Sequence, residues 1–196
     1  MLIDIIAFDG VDEMDALGPL EVLRSAERAG AAMRTRLVTR VPQPHVTGSF
    51  GLRFLPDGTY APGADLVVVP GGSWAARADV GAWGEAQRGE WLPLLARAAE
   101  NAVMAGVCSG SMLLARAGVI GDRRANTHHT AWADLREAGA TLTTDRVVDD
   151  GDLITAGGVT SGIDLALWVV ERYAGRELAD QVAERMEHDR SRPRVD

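Results

Sequence analysis

Cys108 is the one cysteine among 196 residues, and its setting is one that makes a thiol nucleophilic. It stands in Gly106-Val107-Cys108-Ser109-Gly110, after a short apolar run (102–105) and before Ser111-Met112-Leu113-Leu114-Ala115-Arg116-Ala117, which has helical composition. Strand, small-residue turn and helix make a nucleophile elbow, in which a Cβ on either neighbour would crowd the strand or the helix. At the start of that helix, unpaired N–H groups and the macrodipole favour thiolate over thiol. The pKa of Cys108 is therefore expected below that of a free cysteine. A lone cysteine elsewhere is usually a small buried hydrophobe. The two glycines at a strand-to-helix switch argue for chemistry here.

A cysteine nucleophile needs a proton partner and donors for developing negative charge. Asp15, at the end of the loop 9–15, is the acid candidate, although spacing alone equally allows it to cap the helix that follows. The amides of Gly72 and Ser109 are the expected oxyanion donors, the second being the residue after the nucleophile. Gly71-Gly72 alone also reads as a plain turn. His128 and His129 invite a Cys–His dyad, but adjacent histidines point different ways. His128 is accordingly expected at the pocket rather than as the base. Trp74, two residues beyond Gly72, is expected to wall an apolar pocket. The four histidines share no ligand spacing with Cys108, so no metal is expected. The glycine-rich stretches match neither a Walker loop nor a dinucleotide fingerprint, and no organic cofactor is expected.

Strands alternating with helices must position these residues. Apolar runs at 2–8, 35–41, 65–70 and 102–105 read as strands, with further short strands at 124–127, 146–150 and 152–156. Helical spacing covers 16–28, 90–101, 131–138, 161–173 and 179–188. The segment 46–55, with glycines between extended pieces, reads as a hairpin or β-arm. The alternation predicts an α/β fold with a doubly wound, mostly parallel sheet, helices on both faces, and a site at the carboxyl ends of the strands. Asp15, Gly71-Gly72, Cys108 and His128 all fall at that edge. One domain is expected over 1–188, with 189–196 a flexible tail carrying five charges and a proline.

Composition excludes several classes. A net charge of −8 argues against a nucleic-acid partner, which demands clustered positive charge. No apolar stretch approaches a membrane span. The N-terminal run has no basic n-region and contains Asp4, unlike a signal peptide. A single cysteine suits a reducing compartment. A cytoplasmic location is expected.

Five stretches carry a resemblance over nearly the whole chain: Gly10-Val11-Asp12-Glu13-Met14-Asp15-Ala16-Leu17-Gly18-Pro19, Pro70-Gly71-Gly72, Gly106-Val107-Cys108-Ser109-Gly110, Arg124-Ala125-Asn126-Thr127-His128 and Gly157-Gly158-Val159-Thr160-Ser161. The chain resembles the PfpI-type superfamily, relatives of class I glutamine amidotransferases. The resemblance implies a flavodoxin-like fold, an acid at Asp15 hydrogen-bonded to Cys108, Val159 near the pocket, and a homodimer built on the first helix and the 46–55 arm. The protease-like branch places His after the cysteine, where this chain has Ser109. The deglycase and glyoxalase-like branch carries Glu where this chain has Asp15. Isonitrile hydratases are similar in pairing Asp with a cysteine followed by a small hydroxyl residue, commonly Thr. A branch fused to a helix-turn-helix regulator needs a further module, which is not expected here from the few residues after 188.

The resemblance thus implies an enzyme adding water to an isocyanide through a Cys108 thioimidate, with a small-molecule substrate and no cofactor. The alternatives are a glyoxalase or deglycase acting on methylglyoxal-type aldehydes, and a cysteine-based redox or ligand sensor.

Overall fold

Runs that are apolar on both faces can be buried only in a sheet covered on both sides. In the computed structural model, which describes residues 1–193, such runs form the middle of a seven-stranded sheet. In chain order the elements are β1 (Leu2–Ala7), α1 (Glu13–Arg28), β2 (Arg34–Thr39), β3 (Val46–Thr47), β4 (Arg53–Phe54), β5 (Gly58–Thr59) and β6 (Leu66–Val69). There follow α2 (Gly81–Arg88), α3 (Leu92–Ala98), β7 (Val103–Val107), α4 (Gly110–Arg116), β8 (Arg124–Ala125), α5 (Trp132–Glu137) and β9 (Thr141–Leu142). The last elements are β10 (Val147–Asp149), β11 (Leu153–Ala156), α6 (Ser161–Ala174) and α7 (Arg176–Arg185).

The sheet order is β10-β11-β7-β6-β1-β2-β5. All its pairings are parallel except that of β10 with β11, which turn at Asp150-Gly151 as an antiparallel edge. Ile5 pairs with Val68, and Val68 with Ala105, so β1, β6 and β7 end side by side at one edge. The helices pack in two groups, one on each face: α1 with α6 and α7, and α4 with α2, α3 and α5. Ile3, Ile5, Leu66, Met104, Leu113 and Leu114 are fully enclosed, each contributing about 1.5–3 kcal/mol of burial. Asp4 is a charge inside this core, and Arg36 satisfies it with two hydrogen bonds of 2.8 Å.

Several elements depart from expectation. α2 contains two glycines and lacks a side-chain cap, so its sequence carries no helical signal. β8 and β9 pair with each other outside the main sheet. Helix α1 starts at Glu13 rather than 16, because Asp12 caps it by accepting from the Met14 N–H at 3.1 Å. Residues 189–193, placed by sequence in a flexible tail, carry partners: Arg190 pairs with Glu171 and Asp180, and the Ser191 N–H donates to Asp164 at 2.7 Å. Residues 194–196 of that tail lie outside the described residues.

The elbow fits because Gly110 lets α4 touch the end of β6. A Cβ there would lie 1.9 Å from the Val69 carbonyl oxygen, a backbone atom that has no rotamer to escape into. Gly→Ala inside a helix gains about 1 kcal/mol from propensity, whereas overpacking of this kind costs about 1–3 kcal/mol or more. The clash wins. Gly110→Ala is expected to lower the urea midpoint, and an unchanged or higher midpoint would refute this packing argument.

Candidate active site

Three loops from the neighbouring strands β1, β6 and β7 converge at the carboxyl edge. The first turn of α1 divides its acids among three tasks. Asp12 caps the helix. Glu13, almost buried, accepts from the Phe50 and Leu52 amides at 2.9 and 3.2 Å and so ties down the β3–β4 hairpin. Asp15 is left free of capping duty and points inward, fully buried, with Oδ2 accepting from the Gly71 N–H at 3.0 Å. The Cys108 thiol approaches the same carboxyl closely enough to share a hydrogen bond with it. Among the described residues no well-aligned donor reaches Oδ1.

Cys108 sits at φ +54°, the left-handed region that non-glycine residues rarely occupy. Hydrogen bonds on both sides hold it there. Its N–H donates to the Gly157 carbonyl at 2.9 Å, and its carbonyl accepts from Thr127 Oγ1 at 2.8 Å. Two backbone amides, those of Val159 and Ser109, lie near enough to the sulfur to lower its pKa. Val159 is itself at φ +21°, unusual for a β-branched residue.

The Gly72 amide is not one of the sulfur's donors. It donates to Ser109 Oγ at 3.0 Å, so in this structure the Gly72 amide is engaged by a side chain rather than open to the cleft. Gly71 and Gly72 are nonetheless more than a turn. A Cβ on Gly71 would lie 2.4 Å from Ser109 Oγ, and one on Gly72 would lie 2.4 Å from the Gly10 carbonyl oxygen.

Electrostatics correct the expected thiolate. Burial pushes the Cys108 thiol well above its ordinary pKa, and the negative charge of Asp15 pushes it further. The amides of Val159 and Ser109 pull it down by less. Asp15 is likewise pushed well above the ordinary carboxylate range, first by burial and then by the charge of Asp12, against the Gly71 and Cys108 hydrogen bonds. Both members of the pair are thus biased toward their protonated forms. A short helix cannot offset the loss of water around a buried sulfur.

A cleft of about 300 Å³ opens beside the sulfur. Trp74, Ala75, Ala76 and Val159 give it apolar walls, and Asp12 and His128 give it a polar end. His128 Nδ1 is engaged with Thr130 Oγ1 at 2.8 Å, and its ring packs against His129 with centroids 4.3 Å apart. Burial, then His129, lowers the pKa of His128. Asp15, Gly71, Gly72, Trp74, Ser109, His128 and Val159 therefore all surround Cys108. Sequence reasoning missed the sulfur-directed amide of Val159, the Thr127 clamp and the Asp12 cap. Only the cap left a signal, an acid immediately before an apolar-periodic run.

The arrangement can form a bond from sulfur to an electrophilic or protonated carbon, pass protons through one carboxyl, and do so beside an apolar group. Comparison with known proteins agrees with the fold. The DJ-1/PfpI family profile matches residues 1–172. Isonitrile hydratase of Pseudomonas putida is 35% identical over 189 residues, covering 95% of this chain and 78% of that protein. The HTH-type transcriptional regulator CdhR of Pseudomonas aeruginosa is 32% identical over 191 residues, 95% of this chain but only 55% of the regulator. Among solved structures, a THiJ/PfpI family protein from Pseudomonas syringae superposes with a TM-score of 0.86 at 27% identity, over 98% of this chain and 77% of that one. Drosophila melanogaster DJ-1beta has the same flavodoxin-like fold, with a TM-score of 0.83 at 24% identity over 96% and 98% of the two chains.

Proposed function

Because the chain belongs to the DJ-1/PfpI family, we propose that it is an enzyme of the isonitrile hydratase type, adding water to R–N≡C to give an N-substituted formamide. The observation that carries this reading is the Asp15 carboxyl, fully buried against the Cys108 thiol, where burial raises its pKa and favours the protonated form. An isocyanide is neutral, offers little to hydrogen-bond, and must be protonated at carbon before sulfur can bond there. A neutral acid next to a neutral thiol in an apolar cleft suits such a substrate.

The proposed reaction keeps the site close to neutral throughout. Asp15 gives its proton to the isocyanide carbon and takes the thiol proton as the sulfur–carbon bond forms, leaving a thioimidate, S–CH=N–R. Water then adds to that carbon. Asp15 protonates the nitrogen and receives a proton from the water, giving S–CH(OH)–NH–R. The carbon–sulfur bond breaks, the hydroxyl proton returns through Asp15 to sulfur, and the formamide leaves. Amides of Ser109 and Val159 steady the sulfur whenever it carries charge. No metal or organic cofactor enters the scheme.

Purified protein assayed side by side with an aryl isocyanide and with methylglyoxal tests the reading. Formamide is expected from the first, with a rate that falls as pH rises through the raised value of Asp15 and that acid proton is lost. Turnover of methylglyoxal without isocyanide turnover would overturn it in favour of aldehyde chemistry.

A homodimer and a reducing, cytoplasmic setting belong to the same proposal. The hairpin that Glu13 holds displays Phe50 at 85% and Leu55 at 76% exposure, with Leu52 and Met14 also exposed nearby in sequence to its anchor. Covering such side chains is a common reason for self-association. Light scattering at micromolar concentrations is expected to give twice the chain mass, and a monomer mass would remove the dimer.

A further inference from the structure

The apolar wall of the cysteine cleft is a short segment, 73–76, that has little structure of its own. Ser73 and Arg77, at its two ends, are both non-glycine residues in the left-handed region, at φ +55° and +51°. Backbone of this kind persists only where the surroundings hold it. The hold comes from outside the cleft, on α5. Asp134 Oδ2 accepts from Trp74 Nε1 at 2.6 Å and pairs with the Arg77 guanidinium at 2.8 Å. Arg77 in turn lies over the Trp83 ring, 3.9 Å from its centroid, and Trp83 meets Trp74 edge-to-face at 5.1 Å. One carboxylate thus fastens both the indole that walls the cleft and the cation that ends the segment.

Behind the wall is more space. Trp74 also lines a second cavity of about 350 Å³, bounded by Arg77, Trp83, Met112 and Arg116. The indole is therefore a partition between that cavity and the cleft at Cys108.

We propose that Asp134 is a specificity-determining positioning residue: by latching Trp74 and Arg77 it keeps the partition closed and restricts Cys108 to compact apolar groups. The substrate consequence, small rather than bulky R–N≡C, rests on the isocyanide reading. The latch itself does not, because any reagent that reaches the sulfur reports on it.

The test uses the full-length protein and two thiol reagents of different size, iodoacetamide and N-(1-pyrenyl)maleimide, with mass spectrometry following Cys108. In Asp134→Ala the bulky reagent is expected to react about tenfold faster or more, the factor for losing one charge-assisted hydrogen bond from the closed state. The small reagent is expected to change by less than about threefold, since it already fits. Arg77→Met, which keeps Asp134 and the Trp74 bond, is expected to fall between, and covers the case in which Asp134→Ala does not fold. An equal rise for both reagents would mean general loosening and would overturn the proposal, as would no change in a folded variant. If isocyanides prove not to be substrates, the size-selective labelling still decides the latch. If they are, Asp134→Ala is expected to gain kcat/KM for bulky isocyanides relative to small ones.

Discussion

Replacing Asp15 with Asn is expected to lower isocyanide turnover by about two to four orders of magnitude, the usual worth of a positioned acid–base group, while making the fold more stable at neutral pH. Asn keeps the size and still accepts from the Gly71 amide, but it cannot give a proton to carbon or take one from sulfur. The gain in stability follows from linkage. In the unfolded chain Asp15 has the ordinary carboxylate value of 3.8, and in the folded chain its value is well above that. Between the two values the folded state holds a proton that the unfolded state has released. The stability contributed by the acid is therefore full below pH 3.8 and is lost as pH rises through the folded value. Asn takes up no proton, so its advantage is absent in acid and grows toward neutral pH. Urea midpoints of both proteins against pH, together with turnover, check this. A variant less stable than the parent at pH 7 but equal at pH 4 would show that Asp15 is ionised in the fold. The proton donor would then have to be another group.

Cys108→Ser is expected to abolish turnover, a loss of about four orders of magnitude or more. Serine fits the space and keeps the left-handed backbone, so the Gly157 and Thr127 hydrogen bonds survive. What changes is acidity. This pocket already pushes the thiol upward by burial, and a hydroxyl starts several units higher. His128→Ala provides the contrast. Its ring is tied to Thr130 and stacked on His129, with no bond to the sulfur, so turnover should stay within about tenfold. Measurable hydration by Cys108→Ser would dismiss the thioimidate. A His128→Ala loss as deep as that of Asp15→Asn, in a folded protein, would reassign the proton chemistry.

The parts of the fold legible in the sequence are those whose burial is local. The runs 65–70 and 102–105 read as central strands because a doubly covered sheet hides consecutive apolar residues, and the structure has Leu66–Val69 and Val103–Val107 there. The elbow was legible for the same reason, since glycines on either side of a cysteine mark a backbone crossing. Whether Asp15 caps a helix or faces the site was open from spacing. It is decided by Asp12, three residues earlier, taking the cap.

Other features depend on residues far apart in the chain. The Val159 amide reaches the sulfur across 51 positions of sequence (108 to 159), and no local pattern encodes that approach. The Gly72 amide looked free as a donor until Ser109, 37 residues away, was seen to occupy it. The acidity of Cys108 went the opposite way from expectation because a sequence shows the helix that favours a thiolate but not the water that packing removes. Helix α2 was illegible because Gly81 and Gly84 make its propensity poor and tertiary contacts alone hold it.

The crowding of main chain around the elbow has a consequence for how this gene can change over generations. Every amino acid reachable from a glycine codon by one base change brings a Cβ. At Gly71 that atom would strike Ser109, at Gly72 the Gly10 carbonyl, and at Gly110 the Val69 carbonyl. Asp15 and Cys108, by contrast, are each expected to accept a side chain of similar size with the fold intact. A duplicated copy released from selection for chemistry would therefore lose its reacting side chains first and keep the glycines. Descendants of this chain that no longer catalyse anything should still carry the outline of the elbow.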